Sequence, residues 1–437
     1  MRQTRVMAAL AVLALIWSGA RVEAGLSSKA WKRLQATSIS QLSSGDFGAL
    51  AGSMTQLGED DSARAVKWIE KLLRKVEGDA TVFAAASQAF DGMHAKAALK
   101  AQRSLALKSK DWRIRVLFID TLGKRAATGD IDVLIKAIKD KNAVAATTAI
   151  RRLCARREEA AMEPLVALME KLDAKRTPPW AELRMSLGEL MGRTLESGAD
   201  YRSWWLVLKE RGGLASVTDE DRERDRQAKR RDSGELSTSV RLFGSEILCT
   251  RLVFVLDTSG SMQTIDPGDG RPGGTSSVPQ GEPDPSRPDP RLRIERAKRE
   301  LKRVVGVLPD STEINIIAYS SSVHAWKETG LHKLSSKNRA DAIAFIEEFR
   351  ADGVTATDQA LRVALEVEGT RCIYLLSDGK PSMGEGEDIP HGTIYDLVEA
   401  KNKLLKVRIF SLGFSGADQS FMRELARRTG GRYSDIR

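Results

Sequence analysis

Cysteine, histidine and aromatic residues are scarce in this chain of 437 residues, and each shortage argues against a class of function. The three cysteines, Cys154, Cys249 and Cys372, are too few for a disulfide framework. The four histidines show no H-E-x-x-H or similar ligand spacing. Aromatic residues make up 5% of the chain and do not alternate with basic runs, as in many nucleic-acid-binding surfaces. We therefore expect neither a histidine metal site nor contact with nucleic acid.

Signatures of catalysis are also missing from the sequence. No serine lies in a G-x-S-x-G elbow, so a hydrolase triad has no site for its nucleophile. Gly379-Lys380 resembles part of a phosphate-binding loop, but Pro381 follows where Ser or Thr is needed. The sequence predicts that this protein is not an enzyme.

Long apolar runs are absent beyond the N-terminal segment. Residues 1–24 combine two early arginines, a short apolar stretch and the small-residue ending Val22-Glu23-Ala24, which is typical of a cleaved signal peptide. The stretch is short for a bilayer span, and an uncleaved anchor is the alternative. We expect an exported protein (periplasmic, cell envelope or extracellular) that contacts a membrane only if this segment is retained.

Basic residues outnumber acidic ones, 69 Lys and Arg against 59 Asp and Glu, which gives a formal charge of +10. Such an excess indicates either a solvated basic surface or contact with acidic partners. A length of 437 residues predicts two or three domains.

Residues 28–210 are predicted to form an α-helical domain. Amphipathic patterns follow one another, and Ala63 to Val76 is a clear example with one apolar face. Apolar positions also recur at an offset of 31 residues: Leu122, Leu134 and Ile138 match Leu153, Leu165 and Met169. The pattern is similar to degenerate HEAT-type repeats, which stack helix pairs into a solenoid. The alternative is an irregular helical bundle.

Residues 211–239 are predicted to be a charged linker. Within them, residues 219–232 are almost all charged, with both signs present. Such a run buries no apolar face and is either an exposed helix or a disordered segment. The domain boundary is therefore predicted here.

Residues 240–437 alternate strand and helix patterns, which predicts an α/β fold with a doubly wound, mostly parallel sheet. The apolar run Leu252 to Leu256 has the character of a strand buried on both faces. An insertion at 263–290 holds seven prolines and is predicted to be a long loop. It acts either as a spacer or as a specificity loop beside the site described next.

Polar oxygen-bearing residues follow two of the predicted strands. Asp257, Ser259 and Ser261 come after Leu256, and Asp378 comes after the strand Arg371 to Leu376. The carboxyl ends of such strands are where open α/β sheets bind ligands, and hard oxygen ligands suit Mg²⁺. With Thr355 in a loop between them, the D-x-S-x-S, Thr and S-D-G motifs resemble the metal-ion-dependent adhesion site of von Willebrand factor A domains.

The resemblance covers about residues 240–437 and implies a ligand set for the metal. Ser259, Ser261 and Thr355 would hold Mg²⁺, with Asp257 and Asp378 bound directly or through water; Mn²⁺ or Ca²⁺ are alternatives. A carboxylate from a protein partner would fill the open coordination position. Val354 replaces the glycine usual before the loop threonine, and Thr357 is the alternative ligand.

The function predicted from these observations is metal-dependent binding of an acidic group on a protein partner. The alternative is a scaffold protein that acts through the helical repeats and has a vestigial metal site. Cys249 and Cys372 begin two strands that this fold places side by side. They either pair or, as we expect, remain two buried free thiols.

Overall fold

The structure is a computed structural model that describes residues 25–125, 127–174, 178–231, 240–266, 288–378, 380–384 and 387–436. The predicted signal peptide, most of the insertion and the end of the charged linker lie outside the described residues. The chain divides into two compact units, Met1–Ser104 and Leu105–Arg437. The division falls within a helix of the predicted helical domain.

The first unit is formed by helices, in agreement with the sequence patterns. Four of them lie within it and a fifth crosses its end; their bounds are Ser28–Ser44 (α1), Phe47–Gly58 (α2), Ala63–Leu73 (α3), Ala80–Asp91 (α4) and Lys96–Lys108 (α5). Ser62 begins α3, since its hydroxyl accepts a hydrogen bond from the Ala65 amide. The predicted apolar face of α3 is buried, as Val66 and Ile69 are fully enclosed.

The second unit begins with further helices. Their bounds are Trp112–Arg125 (α6), Thr128–Ala137 (α7), Ala143–Ala155 (α8), Met162–Leu172 (α9), Pro178–Leu190 (α10), Gly198–Glu210 (α11) and Asp219–Arg231 (α12). The repeated positions fall in successive helix pairs: Leu122 and Leu134 in α6 and α7, Leu153 and Leu165 in α8 and α9. All four are buried. Membership in the HEAT family stays a prediction.

The charged segment is a helix where the structure describes it. Asp219–Arg231 forms α12, with ion pairs such as Arg224 to Glu220 one turn apart on its exposed surface. The two compact units divide at 104/105. The domain boundary in 211–239 stays a prediction. The independent folding of residues 240–437 stays a prediction.

The remaining chain forms the predicted mostly parallel sheet flanked by helices. The strands are Arg241–Leu242 (β1), Ser245–Glu246 (β2), Arg251–Asp257 (β3), Glu313–Tyr319 (β4), Val323–Ala325 (β5), His332–Lys333 (β6), Cys372–Ser377 (β7), Ser382–Gly384 (β8), Glu387–Asp388 (β9), Arg408–Gly413 (β10) and Tyr433–Asp435 (β11). The main sheet has the order β11-β10-β7-β3-β4-β5, and β6 also pairs with β4. The strands β4, β3, β7, β10 and β11 run parallel, while β5 and β6 are antiparallel to β4.

Helices cover both faces of this sheet, as the fold prediction requires. The helices are Arg293–Val307 (α13), Ser336–Glu347 (α14), Thr357–Glu366 (α15), His391–Leu405 (α16) and Gln419–Thr429 (α17). Side chains of β3 alternate between the faces: Phe254 packs in the core that contains α13 and α14, and Val255 in the core that contains α15, α16 and α17. Both are fully buried, which explains the uninterrupted apolar run.

Cys249 and Cys372 form a pair, contrary to the expectation that both are free thiols. Cys249 and Cys372 are joined by a disulfide with a Cα–Cα distance of 6.2 Å, within the usual range. Cys372 lies opposite Leu252 in the parallel register of β3 and β7. That register brings the two cysteines close enough to bond. Their separation in the sequence does not reveal this distance. Cys154 is a buried free thiol.

Among the described residues, no helix combines the length and the apolar character needed to cross a bilayer.

Candidate metal site

The predicted site residues lie where the chain changes direction across the sheet. From β3 the chain first adds β4 on one side and later adds β7 on the other. The crevice beyond the carboxyl ends of β3 and β7 is therefore a topological switch point, the usual ligand site of such sheets. Asp257 is the last residue of β3, and Asp378 directly follows β7.

Asp257 is fully buried and held by two hydroxyl-bearing residues. Its Oδ1 accepts the Ser259 amide at 2.8 Å, and its Oδ2 accepts the Ser377 hydroxyl at 2.6 Å. Burial, together with the charge of Asp378, raises the pKa of Asp257 to about 6, although the hydrogen bonds from Ser259 and Ser377 oppose the rise. A buried carboxylate beside a second one is stabilised by a nearby cation.

A continuous chain of hydrogen bonds links three of the other predicted ligands. The Ser259 and Ser261 hydroxyl oxygens are 3.0 Å apart, and the Ser261 hydroxyl donates to Asp378 Oδ1 at 2.7 Å. Ser259 and Asp378 are buried, whereas Ser261 is exposed. The structure thus brings Asp257, Ser259, Ser261 and Asp378 together at a place that opens to solvent through Ser261.

The loop that carries Thr355 is fixed to the same edge through its backbone. Gly353 O accepts the Gly260 amide at 3.0 Å, which joins this loop to the serine turn. The Thr355 amide donates to the Ser382 hydroxyl at 3.1 Å, and Thr355 is buried. Gly353 has a φ of 77°, a conformation that glycine adopts without strain. The backbone contacts place the loop beside the serine turn with Val354 in the position usually held by glycine.

The alternative ligand Thr357 is engaged elsewhere. Its hydroxyl is buried in the first turn of α15 and lies 3.4 Å from the Tyr319 hydroxyl. Tyr319 is itself fully buried at the end of β4. The Thr357 hydroxyl is therefore directed to the protein interior, which leaves Thr355 as the better candidate of the two.

Arg293 is a site residue that the sequence prediction missed. From the start of α13, its Nη1 donates to Asp378 Oδ2, and its Nε donates to Asp266 Oδ1 at 2.6 Å. Although burial alone lowers it, the hydrogen bonds to Asp266 and Asp378 raise the pKa of Arg293. A signal was present in the sequence: Arg293 precedes Ala297 and Leu301 by four and eight residues. A charge on that apolar face requires a buried partner.

Arg293 also fixes the start of the insertion beside the site. Arg296 donates to the second oxygen of Asp266, and the Arg293 amide donates to Thr264 O at 3.0 Å. Ile265 and Leu292 form an isolated antiparallel bridge. The two ends of the insertion that the structure describes are thus joined next to Asp378.

The chemistry of these side chains fits a hard divalent cation. Two carboxylates and two serine hydroxyls supply oxygen donors, which is the ligand type of Mg²⁺. Ser261 is exposed, so water or a partner can reach the same place. In the part of the chain that the structure describes, no group of three or more His, Cys, Asp or Glu could hold a metal. The predicted ligand set is of a different kind, since it contains only two carboxylates and its remaining ligands are hydroxyls.

Comparison with known proteins agrees with the fold. Residues 287–435 match the family model of the von Willebrand factor type A domain. The chain contains a von Willebrand factor A (VWA) domain. The match begins after the insertion, but β3, which carries Asp257, pairs between β4 and β7 at the centre of the same sheet. The D-x-S-x-S segment therefore follows a strand of the same sheet as the matched residues.

Two human relatives contain similar sequence. The human "von Willebrand factor A domain-containing protein 3A" is 25% identical over 203 residues, which cover 45% of this chain and 14% of that protein. The human "von Willebrand factor A domain-containing protein 3B" is 28% identical over 125 residues, covering 28% of this chain and 9% of that protein. The chain thus matches only a small part of either relative's length.

A solved VWA structure also aligns with this chain. It is described as "von Willebrand factor type A from Catenulispora acidiphila". The alignment covers 43% of this chain and 38% of that chain, with 19% identity and a TM-score of 0.33. The fold assignment rests on the family match and the observed strand order rather than on this likeness.

Proposed function

We propose that this protein is an exported binding protein whose VWA domain uses Mg²⁺ to bind a carboxylate on a protein partner. Asp257, Ser259, Ser261, Thr355 and Asp378 would hold the metal, with Mn²⁺ or Ca²⁺ as alternatives. The observation that carries the proposal is the hydrogen-bonded chain from Ser259 through Ser261 to Asp378 beside the buried Asp257.

The metal would supply the positive charge that an acidic partner recognises. Asp257 and Asp378 lie beside one another, and a cation between them relieves their repulsion. The exposed Ser261 marks the side from which a partner carboxylate would approach. The role of the protein is to hold these oxygens in place and to leave one position open.

Export is supported by two independent features. Residues 1–24 have the pattern of a signal peptide, and Cys249 and Cys372 are paired. Disulfides persist mainly in oxidising compartments outside the cytosol. Cell fractionation, together with thiol labelling before and after reduction, tests this part of the proposal.

A second candidate function is a scaffold with a vestigial metal site. The observation that favours it is Arg293, whose guanidinium already neutralises Asp378. In that case the predicted helical repeats of residues 28–210 would make the main partner contact, and Mg²⁺ would have no effect on partner binding.

Thermal unfolding of the full chain with and without Mg²⁺ separates the two candidates. A ligand at a hundred times its dissociation constant stabilises a protein by about 2.7 kcal/mol, so a functional site gives a clear shift. Asp257→Ala should abolish the shift, Ser259→Ala and Ser261→Ala should reduce it, and Thr355→Ala tests the fifth ligand.

The matched control is Asp396→Ala, because Asp396 is exposed on α16. It should respond to Mg²⁺ as the unmodified protein does. Partner capture from envelope extract, with Mg²⁺ and with chelator, then tests binding. Equal Mg²⁺ responses of the unmodified protein and Asp257→Ala would rule out the adhesion-site proposal.

A further inference from the structure

A second polar site lies at the opposite end of the sheet from the candidate metal site. A cavity there is lined by residues at the amino ends of β3, β7 and β10 and by residues of α8 and α10. Its charged lining consists of five basic residues and one acidic residue: Arg151, Arg251, Arg371, Lys406, Arg408 and Glu182.

The carboxylates near this cavity do not balance its positive charges. Glu182 is shared, since it accepts from Arg151 at 2.8 Å and from Arg408 Nε at 3.0 Å. Arg251 pairs with Glu313 at 2.6 Å, and Lys406 pairs with Asp120 at 3.2 Å. Four of the five cations that line the cavity are therefore paired with three carboxylates, and Asp120 is also shared with Arg152.

Arg371 is the fifth of these cations. Its Nη1 donates to Thr370 O at 3.1 Å, and no carboxylate among the described residues pairs with it. Burial, together with the positive charges of Arg251 and Arg151, lowers the pKa of Arg371 to about 10. A guanidinium that is mostly buried without a counter-ion is costly, and an anion would relieve that cost.

Two hydrogen-bond donors at the cavity lack partners. Within the described part of the chain, Arg371 Nε and Arg151 Nε are buried and make no hydrogen bond. Both residues line the cavity. A buried donor left unsatisfied costs about 1–3 kcal/mol, so native proteins rarely keep two at one place without a ligand or a water.

We propose that this cavity binds a small inorganic oxyanion of the phosphate or sulfate class. Planar guanidinium groups match the oxygens of such anions with paired hydrogen bonds. The free space is only about 20 Å³, so the proposed ligand is a single small ion, and nucleotides and other large organic phosphates are excluded.

The bound anion would join the helices to the VWA domain. Arg151 belongs to α8, whereas Arg371 directly precedes β7. An oxyanion that accepts from both would link a helix to the sheet and reduce the repulsion between their charges. This inference does not depend on the metal site, because it uses the other end of the strands.

Titration calorimetry of the full chain with inorganic phosphate tests the proposal. Sulfate and chloride are measured at the same ionic strength. We expect phosphate and sulfate to bind and chloride to bind more weakly. Arg371→Gln should weaken phosphate binding at least roughly tenfold, because it removes a charged donor. The matched control is Arg362→Gln, an exposed arginine on α15, which should bind as the unmodified protein does.

A conservative variant covers the case in which Arg371→Gln does not fold. Arg371→Lys retains the charge but loses the planar fork, so phosphate affinity should fall by a smaller factor. Equal binding of phosphate and chloride by the unmodified protein would overturn the proposal. So would phosphate affinity that is unchanged in a folded Arg371 variant, or no binding of any anion, which would assign the cavity to water.

Discussion

Strands β3 and β7 each have a cationic residue at one end and an acidic residue at the other. Arg251 begins β3 and Asp257 ends it, while Arg371 precedes β7 and Asp378 follows it. The carboxyl ends open to solvent through the exposed Ser261, whereas α8 and α10 cover the amino ends. The same apolar strands thus position two charged sites of opposite sign and different exposure.

The difference separates a candidate site with an exposed side chain from a charged cluster that lies between helices and sheet. At the carboxyl end, the exposed Ser261 can meet a ligand from solution. At the amino end, Glu182 is buried between Arg151 of the helices and Arg408 of the sheet. Although burial alone raises it, the two guanidinium groups lower the pKa of Glu182. We expect buried charges of this kind to favour one packing of the segments, because an alternative packing would leave them unpaired.

The largest effect is expected at the covered end. Glu182→Gln leaves Arg151 and Arg408 buried without their shared carboxylate, which should lower the free energy of unfolding by about 3–5 kcal/mol. Urea unfolding measures this loss. The control is Glu189→Gln. Glu189 forms an ion pair with Arg432, and the two side chains are 53% and 47% exposed. It should cost less than about 1 kcal/mol. Similar losses in both variants would remove the distinction between buried and exposed pairs.

An intermediate effect is expected at the open end as pH changes. The pKa of Asp257 is raised to about 6 in the folded protein, and the unfolded value is about 3.9. The folded state then binds the proton more tightly, so without Mg²⁺ the free energy of unfolding should fall as pH rises from about 4 through about 6. The total loss is about 3 kcal/mol.

Urea unfolding at several pH values, without and with Mg²⁺, checks this pH dependence. Asp257→Asn should remove the loss, and Asp396→Asn should retain it because Asp396 is exposed. Mg²⁺ should restore stability above pH 6, roughly the folded-state pKa of Asp257. A loss of stability that persists unchanged in Asp257→Asn would assign it to another group.

The smallest effect is expected from the arginine at the open end. Arg293→Gln removes the cation from Asp378, so stability without Mg²⁺ should fall by about 1–3 kcal/mol. The stabilisation by Mg²⁺ should increase, since the metal no longer competes with a guanidinium. Arg296→Gln is the control, because Arg296 pairs with Asp266 and leaves the contact of Arg293 with Asp378 in place. Thermal unfolding with and without Mg²⁺ measures both, and a smaller Mg²⁺ response in Arg293→Gln would contradict this account.

Local sequence patterns were enough to predict the sheet and to place Asp257 and Asp378 at one edge of it. The apolar run Leu252 to Leu256 indicated a buried strand because both faces of β3 are covered. Asp257 and Asp378 were recognised because polar residues that end such strands meet at one edge of the sheet. These predictions depend on residues near one another in sequence, or on the ends of strands, whose relative positions the parallel arrangement determines.

Only the tertiary structure decided which charges are buried together. Arg293 contacts Asp378 across 85 positions of sequence, and Arg408 contacts Glu182 across 226. The pairing of Cys249 with Cys372 likewise depended on the register of β3 and β7. The sequence around a charged residue does not reveal whether that residue is solvated or buried. Its partner is determined by which elements pack together, and that depends on the whole chain.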